Sequence, residues 1–396
     1  MKHPLRSLAT RCAHAGSSDA PASENPPFHQ AIAQSSLFRL GTSADAEAIF
    51  SGERPGHAYS RFGNPTVDQL ANTLADLEGG SGALITSSGN AAILCAVTAA
   101  MAGRSGPLVT HPGIYGGSFE LLKLLSEVYQ LQVQSVDPGN SEQWNQSLTS
   151  AAAVLLETPS NPLMGLIDIA ETVTRAQAGG ASVIVDNTVA TPYNQQPFKW
   201  GADWIIHSTS KFLNGHSDLI GGCVIKREPL TARDRAIHKN LGGTVNAMEA
   251  WLAHRGIRTF ALRMQQHNLN GQAVFEWLQQ RPEVATVHYP GFRDAHQIQI
   301  RDKQMTHPGA LLSFELKGGL EAASRFLDRL KLIVHAVSLG GMESLATRPA
   351  GSSHRGMTPD ARQVAGIPDG LIRLSVGTED ISDILEDLAQ ALETSP

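Results

Sequence analysis

Residues 181–222 read ASVIVDNTVATPYNQQPFKWGADWIIHSTSKFLNGHSDLIGG, and this stretch predicts the fold. Its start, residues 181–185, is a short apolar run rich in β-branched residues, which is typical of a buried parallel strand, and it ends at Asp186. A second such run, residues 204–206, leads to Lys211. Two neighbouring strands would therefore carry an acid and an amine to one edge of a sheet, the edge at which open α/β sheets bind ligands.

An acid and an amine at such an edge suit the chemistry of an aldehyde cofactor. A lysine can form a Schiff base with pyridoxal phosphate (PLP), and a carboxylate that keeps the pyridine nitrogen protonated makes the ring an electron sink. The hydroxyls of Ser208 and Ser210 suit a phosphate beside the lysine. These residues alone leave a plainer alternative open, because a lysine after a strand is usually a solvated terminus and an aspartate there often only caps a helix.

The segment HSTSKFLNGHSDLIGG, at residues 207–222, resembles the cofactor-lysine signature of the Cys/Met-metabolism family of PLP-dependent enzymes. This family includes the cystathionine lyases and synthases and methionine γ-lyase. Five further segments match the family in the same order: YSRFGNPT at 59–66, SSGNAA at 87–92, ETPSNP at 157–162, SLGGMESL at 338–345 and IRLSVGTED at 372–380. The matches spread over nearly the whole chain, so together they indicate the family far more strongly than any single motif.

The resemblance implies an α/β fold of the PLP-dependent transferase fold type I class, which is similar to aspartate aminotransferase, with a mostly parallel central sheet. We divide the chain into an N-terminal arm (residues 1–58), a PLP-binding large domain (59–250) and a smaller C-terminal α/β domain (251–396). The alternation of strand-like and helical segments agrees with this division. The arm is rich in Ser, Ala and Pro, contains the Pro26–Pro27 pair, and is expected to be extended. In the family such an arm wraps a neighbouring subunit, and the resemblance implies a homotetramer built as a dimer of dimers.

The resemblance also assigns roles to individual residues. Lys211 is the lysine that bonds to pyridoxal 5'-phosphate, Asp186 pairs with the ring nitrogen, and Tyr115 stacks on the ring and takes part in proton transfer. The further cofactor contacts that the family implies are Tyr59, Arg61, Ser88, Gly89, Asn90, Asn161, Ser208 and Ser210. Tyr59 and Arg61 are expected to reach the cofactor of the adjacent subunit, so that a monomer would hold incomplete sites.

Two of these assignments have support from the residues themselves, beside a plainer alternative. The glycine turn at residues 87–90 precedes an alanine-rich helix, and free N–H groups with the positive end of the helix dipole favour a phosphate there. The alternative is a helix that is simply capped. Tyr115 follows the candidate strand at residues 107–111, at the same sheet edge as Asp186 and Lys211, although a lone tyrosine in a loop is more often a packing residue.

The substrate contacts implied by the family are Arg373, Ser338, Asn161 and Tyr59. Arg373 matches the arginine that holds the substrate α-carboxylate, which a guanidinium does through two parallel hydrogen bonds. An edge-strand charge is the alternative for this residue. The catalytic residues would be Lys211, Tyr115 and Asp186, with the amine of Lys211 removing the Cα proton. That role requires a neutral amine, so the lysine pKa would have to fall from ~10.4 toward ~7–8.

Three departures from the family's patterns affect the choice of reaction. Val337 stands where several γ-directed members carry glutamate, Gly117 where methionine γ-lyases carry cysteine, and Leu339 where one β-lyase subgroup carries tryptophan. We therefore expect a PLP-dependent carbon–sulfur lyase of sulfur amino-acid metabolism, acting on cystathionine-like substrates by α,β- or α,γ-elimination. The alternative within the family is γ-replacement on an activated homoserine. A catalytically silent binding or assembly protein is an independent hypothesis, against which the intact lysine, aspartate, tyrosine and arginine argue.

The composition argues against several other classes of function. The formal net charge is -6 and no run of basic residues occurs, which argues against a nucleic-acid or anionic-membrane partner. The longest near-apolar stretch, residues 91–102, is too short to cross a bilayer. The three cysteines, Cys12, Cys95 and Cys223, form no CxxC pair and are expected to be reduced thiols in a cytoplasmic protein. No metal site is expected, because the 15 histidines form no ligand-like cluster, and no GxGxxG follows a candidate strand.

Overall fold

The computed structural model describes residues 6–16, 25 and 28–393, and it shows an α/β architecture with two sheets. The twelve strands of the described residues are β1 Gly82–Thr86, β2 Leu108–Thr110, β3 Val133–Ser135, β4 Ala153–Glu157, β5 Ser182–Asp186, β6 Trp204–His207, β7 Gly222–Lys226, β8 Val284–His288, β9 Leu311–Leu316, β10 Val334–His335, β11 Leu345–Thr347 and β12 Ile372–Ser375. The α-helices of the same residues are α1 Leu8–Ala13, α2 Ser43–Ser51, α3 Pro65–Glu78, α4 Gly89–Met101, α5 Gly116–Tyr129, α6 Ser141–Ser150, α7 Ile169–Ala178, α8 Thr191–Asn194, α9 Ala232–Leu241, α10 Ala247–Ile257, α11 Phe260–Gln279, α12 Ala295–Gln304, α13 Gly319–Arg329, α14 Pro359–Val364 and α15 Ile381–Leu392.

The larger sheet has seven strands in the order β1-β7-β6-β5-β4-β2-β3. All neighbouring pairs are parallel except those of β7, which runs antiparallel to both β1 and β6. Helices cover both faces of this sheet, so its strands are apolar on both sides. In β5, Ile184 packs in one core with residues of α4, whereas Val183 and Val185 pack on the other face with residues of α6 and α7. The expected mostly parallel sheet is confirmed.

The smaller sheet has five strands in the order β10-β11-β12-β9-β8. Strand β12 is antiparallel to both of its neighbours, β11 and β9. The spacing of apolar residues over 244–278 predicts long amphipathic helices, and these residues form α10 and α11, with a break between residues 257 and 260. The predicted domain boundary between residues 250 and 251 falls inside α10, and the division into three parts stays a prediction.

The described parts of the arm are less extended than the sequence predicts. Helix α1 buries the side chain of Cys12 completely in the main hydrophobic core. Helix α2 begins with a capping box in which Thr42 and Asp45 each bond the other's backbone N–H. The Pro26–Pro27 pair lies outside the described residues. The capping box is a local sequence signal for the start of a helix, and apolar periodicity alone does not reveal it.

No helix in the described ranges is long and apolar enough to cross a membrane. Within those ranges, no three side chains of His, Cys, Asp or Glu come together in a way that could hold a metal ion.

Candidate active site

Strands β5 and β6 lie side by side and run parallel, with Asp186 opposite Ile206 in the register. The chain then turns from β6 so that the backbone N–H of Lys211 donates to the carbonyl of Ser208 (3.2 Å). The turn continues until the N–H of Gly215 donates to the Lys211 carbonyl (2.8 Å). Asp186 and Lys211 therefore leave neighbouring strands at the same edge of the sheet, as the sequence predicts.

The side chain of Lys211 donates a hydrogen bond from Nζ to Oγ of Ser338 (2.7 Å), which belongs to the loop between β10 and β11. No ion pair joins this amine to a carboxylate in the described part of the chain. Burial and then the positive charge of Arg373 lower the lysine pKa to about 8. At neutral pH, such a lysine is neutral in about a tenth of the molecules. At an ordinary lysine pKa, the neutral fraction is about one in three thousand.

Arg373 lies on β12 with only 3% of its surface exposed. Its guanidinium donates to the backbone carbonyl of Ser338 (2.7 Å) and to Oδ1 of Asn161 (3.2 Å). The Nε of Arg373 is buried, and no partner for it exists among the described residues. Burial lowers the arginine pKa to about 10, which leaves it charged at neutral pH. A buried cation with a spare donor fits a carboxylate ligand.

Ser338 connects the two cations, because its hydroxyl accepts a hydrogen bond from Lys211 and its backbone carbonyl accepts one from Arg373. Its backbone has a φ of 96°, in the left-handed region that a residue with a side chain rarely adopts. Such a conformation costs on the order of 1–3 kcal/mol and persists only where the surroundings enforce it. The strained backbone therefore lies where the hydroxyl must meet the amine.

Asp186 accepts a hydrogen bond from the backbone N–H of Thr188 (3.0 Å). Burial raises the pKa of this carboxyl group, while the hydrogen bonds of Thr188 and the nearby His207 act in the opposite direction. No lysine or arginine of the described residues forms an ion pair with it. A carboxylate of this kind suits a cationic ring nitrogen.

The start of α4 and the lysine turn form a cradle suited to an anion. Ser88 caps α4 by accepting from the N–H of Ala91 (3.1 Å), and Gly89 begins the helix. A Cβ on Gly89 would lie 3.0 Å from Cβ of Ser208, so the missing side chain lets the two segments approach. Free N–H groups at a helix start favour phosphate. Two other predicted contacts are already engaged: Ser210 Oγ accepts from the N–H of Gly221 (2.9 Å) and Asn90 donates to the Gly117 carbonyl (3.3 Å).

Tyr115 stands at the start of α5 and keeps 38% of its surface exposed. Its backbone N–H donates to Oε2 of Glu157 (2.7 Å). Its ring meets the ring of His354 edge-on, with the centroids 6.3 Å apart. The phenol is thus held through its backbone and one ring edge, and an exposed ring face remains for a planar ligand.

Tyr59 and Arg61 form no hydrogen bond with Lys211 within the described ranges. Arg61 donates to the backbone carbonyl of Lys239 (2.9 Å), and its guanidinium lies 4.9 Å from the ring centroid of Phe62. The expectation that both residues reach the cofactor of an adjacent subunit stays a prediction.

Sequence reasoning missed several buried polar residues under the site. Glu157 lies opposite Asp186 in the sheet, and burial raises its pKa well above the usual range. His111 accepts from the N–H of Glu157 through Nε2 (3.1 Å), and burial lowers its pKa to about 4. His207 and Glu78 are a second buried pair, 2.6 Å apart. In the sequence, the only sign of these buried groups is a polar residue at the end of an apolar run.

The residues present fit pyridoxal phosphate on several independent grounds. The amine of Lys211 has a lowered pKa, the carboxyl of Asp186 has no cationic side chain paired with it, and the helix start at Gly89 lies beside the lysine turn. Arg373 in addition has an unused buried donor. The donor set matches an aldehyde, a ring nitrogen, a phosphate and a substrate carboxylate.

Comparison with known proteins agrees with this geometry. The family model described as "Cys/Met metabolism PLP-dependent enzyme" matches residues 9–393. L-methionine γ-lyase of Pseudomonas putida is 38% identical over 99% of this chain and 98% of its own length. Cystathionine β-lyase of Lactococcus lactis subsp. cremoris is 40% identical over 86% and 90% of the two chains. The crystal structure of cystathionine γ-synthase from Xanthomonas oryzae pv. oryzae in complex with cystathionine superposes with a TM-score of 0.90, at 36% identity, over 98% of both chains.

Proposed function

Because the chain belongs to the Cys/Met-metabolism family of PLP-dependent enzymes, we propose that it is a carbon–sulfur lyase that cleaves cystathionine-like amino acids by α,β- or α,γ-elimination. The observation that carries the proposal is the contact of Lys211 and Arg373 with the same serine, Ser338. An amine base and a carboxylate-binding guanidinium are thereby held together at one place. A small-molecule amino acid is the substrate class of this family.

Pyridoxal phosphate supplies, when bound, an aldehyde that bonds to amines and a protonated ring that accepts the electron pair released at Cα. Asp186 would hold the negative charge that keeps the ring nitrogen protonated. Ser88, Gly89 and Ser208 would hold the phosphate, and Tyr115 would cover a ring face. Asn161 would hold the ring hydroxyl, and its Oδ1 accepts from Arg373 (3.2 Å), which supports a role at the cofactor and at the substrate.

Arg373 binds the substrate carboxylate with its guanidinium and so orients the Cα–H bond toward Lys211. Lys211 then takes the Cα proton on Nζ, and its lowered pKa makes the required neutral amine available. Ser338 Oγ, 2.7 Å from Nζ, holds the amine in place through this transfer. Elimination at Cβ follows directly, whereas elimination at Cγ needs a second proton to move from Cβ.

The three departures from the family's patterns have different surroundings. Val337 exposes 61% of its surface beside Ser338, so an apolar rim replaces a carboxylate there. Leu339 is buried. A Cβ on Gly117 would lie 2.5 Å from the ring of Tyr115, so a side chain at this position would displace that ring. These surroundings support a substrate whose distal end is not held by a charge beside Ser338.

The decisive experiment is to incubate the purified protein with L-cystathionine and to identify the keto acid released. Pyruvate would establish cleavage at Cβ, and 2-oxobutyrate would establish cleavage at Cγ without a glutamate at Val337. The Lys211→Ala variant is the control, since it removes the proposed base. If neither keto acid forms, the lyase proposal fails.

The second candidate is γ-replacement, in which a thiol is joined to an activated homoserine. The close superposition on a cystathionine γ-synthase structure supports γ-replacement as a second candidate. Incubation with an O-acylhomoserine and cysteine would test it, because replacement yields cystathionine whereas a lyase yields a keto acid.

The proposal includes a homotetramer, a dimer of dimers whose sites are shared between subunits. It rests on the expected reach of Tyr59 and Arg61 to a neighbouring cofactor, since among the described residues Arg61 bonds to the Lys239 carbonyl and not to Lys211. Exposed aromatic residues of the arm, Phe28 and Phe50, provide apolar surface for a neighbouring chain. The cytoplasmic location stays a prediction from the cysteine pattern.

A further inference from the structure

We propose that Arg263, a residue of α11 outside the site described above, is a positioning residue that holds the turn carrying Lys211. The turn is defined here as residues 208–215. The inference rests on the proposed function, because it assumes that Lys211 is the lysine that bonds to the cofactor. It adds a residue whose action is transmitted entirely through the backbone of that turn.

The guanidinium of Arg263 donates to two backbone carbonyls directly after Lys211. Its Nη1 donates to the Phe212 carbonyl (2.7 Å) and its Nη2 to the Leu213 carbonyl (3.0 Å). The same Nη2 donates to the carbonyl of Gly256 (2.9 Å), near the end of α10. The lysine turn is therefore fastened to the α10–α11 connection by one planar group.

The guanidinium is itself held rigidly. Its Nε donates to Oγ1 of Thr259 (3.2 Å), one helical turn earlier. A Cβ on Gly215 would lie 1.9 Å from Nη1, and Gly215 has a φ of 74°, so glycine is required for the approach. Arg263 is only 6% exposed. A guanidinium confined in this way has few alternative positions, which is what a positioning group needs.

No carboxylate of the described residues forms an ion pair with Arg263, although it is buried. Its four hydrogen bonds go to three backbone carbonyls and one hydroxyl. An apolar residue in its place would leave the three carbonyls without this donor. The guanidinium therefore fixes the position of the lysine turn relative to the α10–α11 connection.

The loop between β10 and β11 contacts the same turn. A Cβ on Gly340 would lie 2.6 Å from the backbone nitrogen of Phe212, and the N–H of Met342 donates to the Gly215 carbonyl (3.1 Å). Ser338 in the same loop holds the Lys211 amine. The turn is thus held by this loop and by Arg263, and the distance from Nζ to Ser338 depends on both.

The test measures how fast added pyridoxal phosphate attaches to Lys211 in the full-length protein freed of cofactor. The neutral amine adds to the aldehyde carbon, water leaves as a C=N bond forms, and borohydride then adds hydride to that bond and makes the link permanent. Peptide mass spectrometry locates and counts the label. Arg263→Met removes the donors, and Arg263→Lys keeps the charge without the planar fork. Thr259→Val removes the bond to Nε together with the bond from Thr259 Oγ1 to the Gly256 carbonyl (3.2 Å), and leaves the guanidinium in place.

We expect Arg263→Met and Arg263→Lys to slow the attachment at Lys211 by a factor on the order of ten to a hundred, the usual effect of a displacement near 1 Å. Thr259→Val should slow it less. The pH midpoint of the attachment rate should also move up toward the ordinary lysine value, because a displaced amine is better solvated. Arg281→Met is the matched control, because Arg281 lies just after the same helix and its guanidinium bonds to and stacks on Trp277; this variant should leave the rate unchanged.

The unfolding midpoint of each variant is measured alongside, and rates are compared well below it. A variant that is less stable but attaches the cofactor at the wild-type rate would show that Arg263 acts only on stability, which overturns the inference. If Arg263→Met does not fold, Thr259→Val and Arg263→Lys decide the question, and wild-type rates in both overturn it. A label on a different lysine in the wild-type protein would instead overturn the proposed function.

Discussion

Buried Arg373 and partly buried Lys211 share one serine, with no carboxylate paired to either in the described part of the chain. Each cation disfavours the charge on the other, and the lysine, whose ordinary pKa is lower, is the one whose neutral fraction increases at neutral pH. A substrate carboxylate at Arg373 would offset part of this repulsion. The site therefore favours an anionic ligand at Arg373.

This arrangement predicts the pH dependence of Lys211 reactivity. With a pKa of about 8 in place of 10.5, the rate at which the cofactor-free protein attaches pyridoxal phosphate should rise with pH and reach half its maximum near 8. Arg373→Met removes a positive charge, so the midpoint should rise. The same shift makes this lysine's contribution to stability increase between pH 8 and 10.5, where only the unfolded chain keeps the proton. A wild-type midpoint near 10.5 would contradict the prediction.

A substitution of Arg373 tests the substrate site directly. Arg373→Ala removes a bidentate, charge-assisted interaction and should lower kcat/KM by about a hundredfold to a thousandfold, since each such hydrogen bond contributes roughly 1.5–3 kcal/mol. The affinity for pyridoxal phosphate should change little. Arg175→Ala, which breaks an exposed pair with Glu171, is the control and should have no effect on either quantity. Unchanged kcat/KM would remove Arg373 from the substrate site.

The residues that sequence motifs identified and those they missed differ in a physical way. Lys211, Asp186 and Arg373 belong to segments whose order along the chain resembles a known family. Glu157 and Arg263 act on backbone groups brought close only by folding, and the sequence shows no more than a polar residue beside apolar ones. Such partners are defined by tertiary contacts, which a single sequence does not show.

Two helices with aspartate caps are among the elements that the sequence predicts well. The sequence pattern predicts helices at 169–178 and 381–392, which are the bounds of α7 and α15, and each starts after an aspartate, Asp168 or Asp380, that accepts from the backbone of its first turn. The apolar residues at 332–337 predict a strand, but β10 is shorter, because its residues are exposed and pair with β11 alone among the described strands. Burial on both faces makes a strand easy to predict, and β10 lacks it.

Helix α15 also organises the approach to the active-site loop. The carboxylate of Asp387 accepts from the backbone N–H groups of Lys331 (2.9 Å), Leu332 (3.0 Å) and Ile333 (2.8 Å), which lead into β10. Asp387→Asn keeps the shape but leaves N–H donors without an acceptor, so we expect it to lower the free energy of unfolding by about 2–4 kcal/mol.

Chemical denaturation measures the effect of Asp387→Asn, and Asp383→Asn on the same helix is the control. Asp383 is exposed and should tolerate the change. Equal stabilities of the two variants would show that the three N–H groups do not depend on the carboxylate.

At the scale of the whole molecule, the proposed sharing of sites means that each chain would use its own Lys211 and contribute its Arg61 to the site of a neighbour. Mixing inactive Arg61→Ala and Lys211→Ala proteins should therefore restore activity, because a hybrid pair contains one site with neither lesion. Random reassortment into pairs would restore roughly a quarter of the sites. The assay is lyase activity after subunit exchange has been verified with a mass-tagged chain. Exchange without recovered activity would contradict sharing of sites.

Val337 has a consequence for how such enzymes diversify. Its side chain is largely exposed on the rim of the cleft, whereas the adjacent Leu339 is buried and Ser338 is fixed by its contacts. An exchange at an exposed position changes stability by little, usually within about 0.5 kcal/mol. A substitution at this exposed position can therefore alter substrate preference without disturbing Ser338 or Leu339. Enzymes that catalyse related reactions can then differ by few mutations.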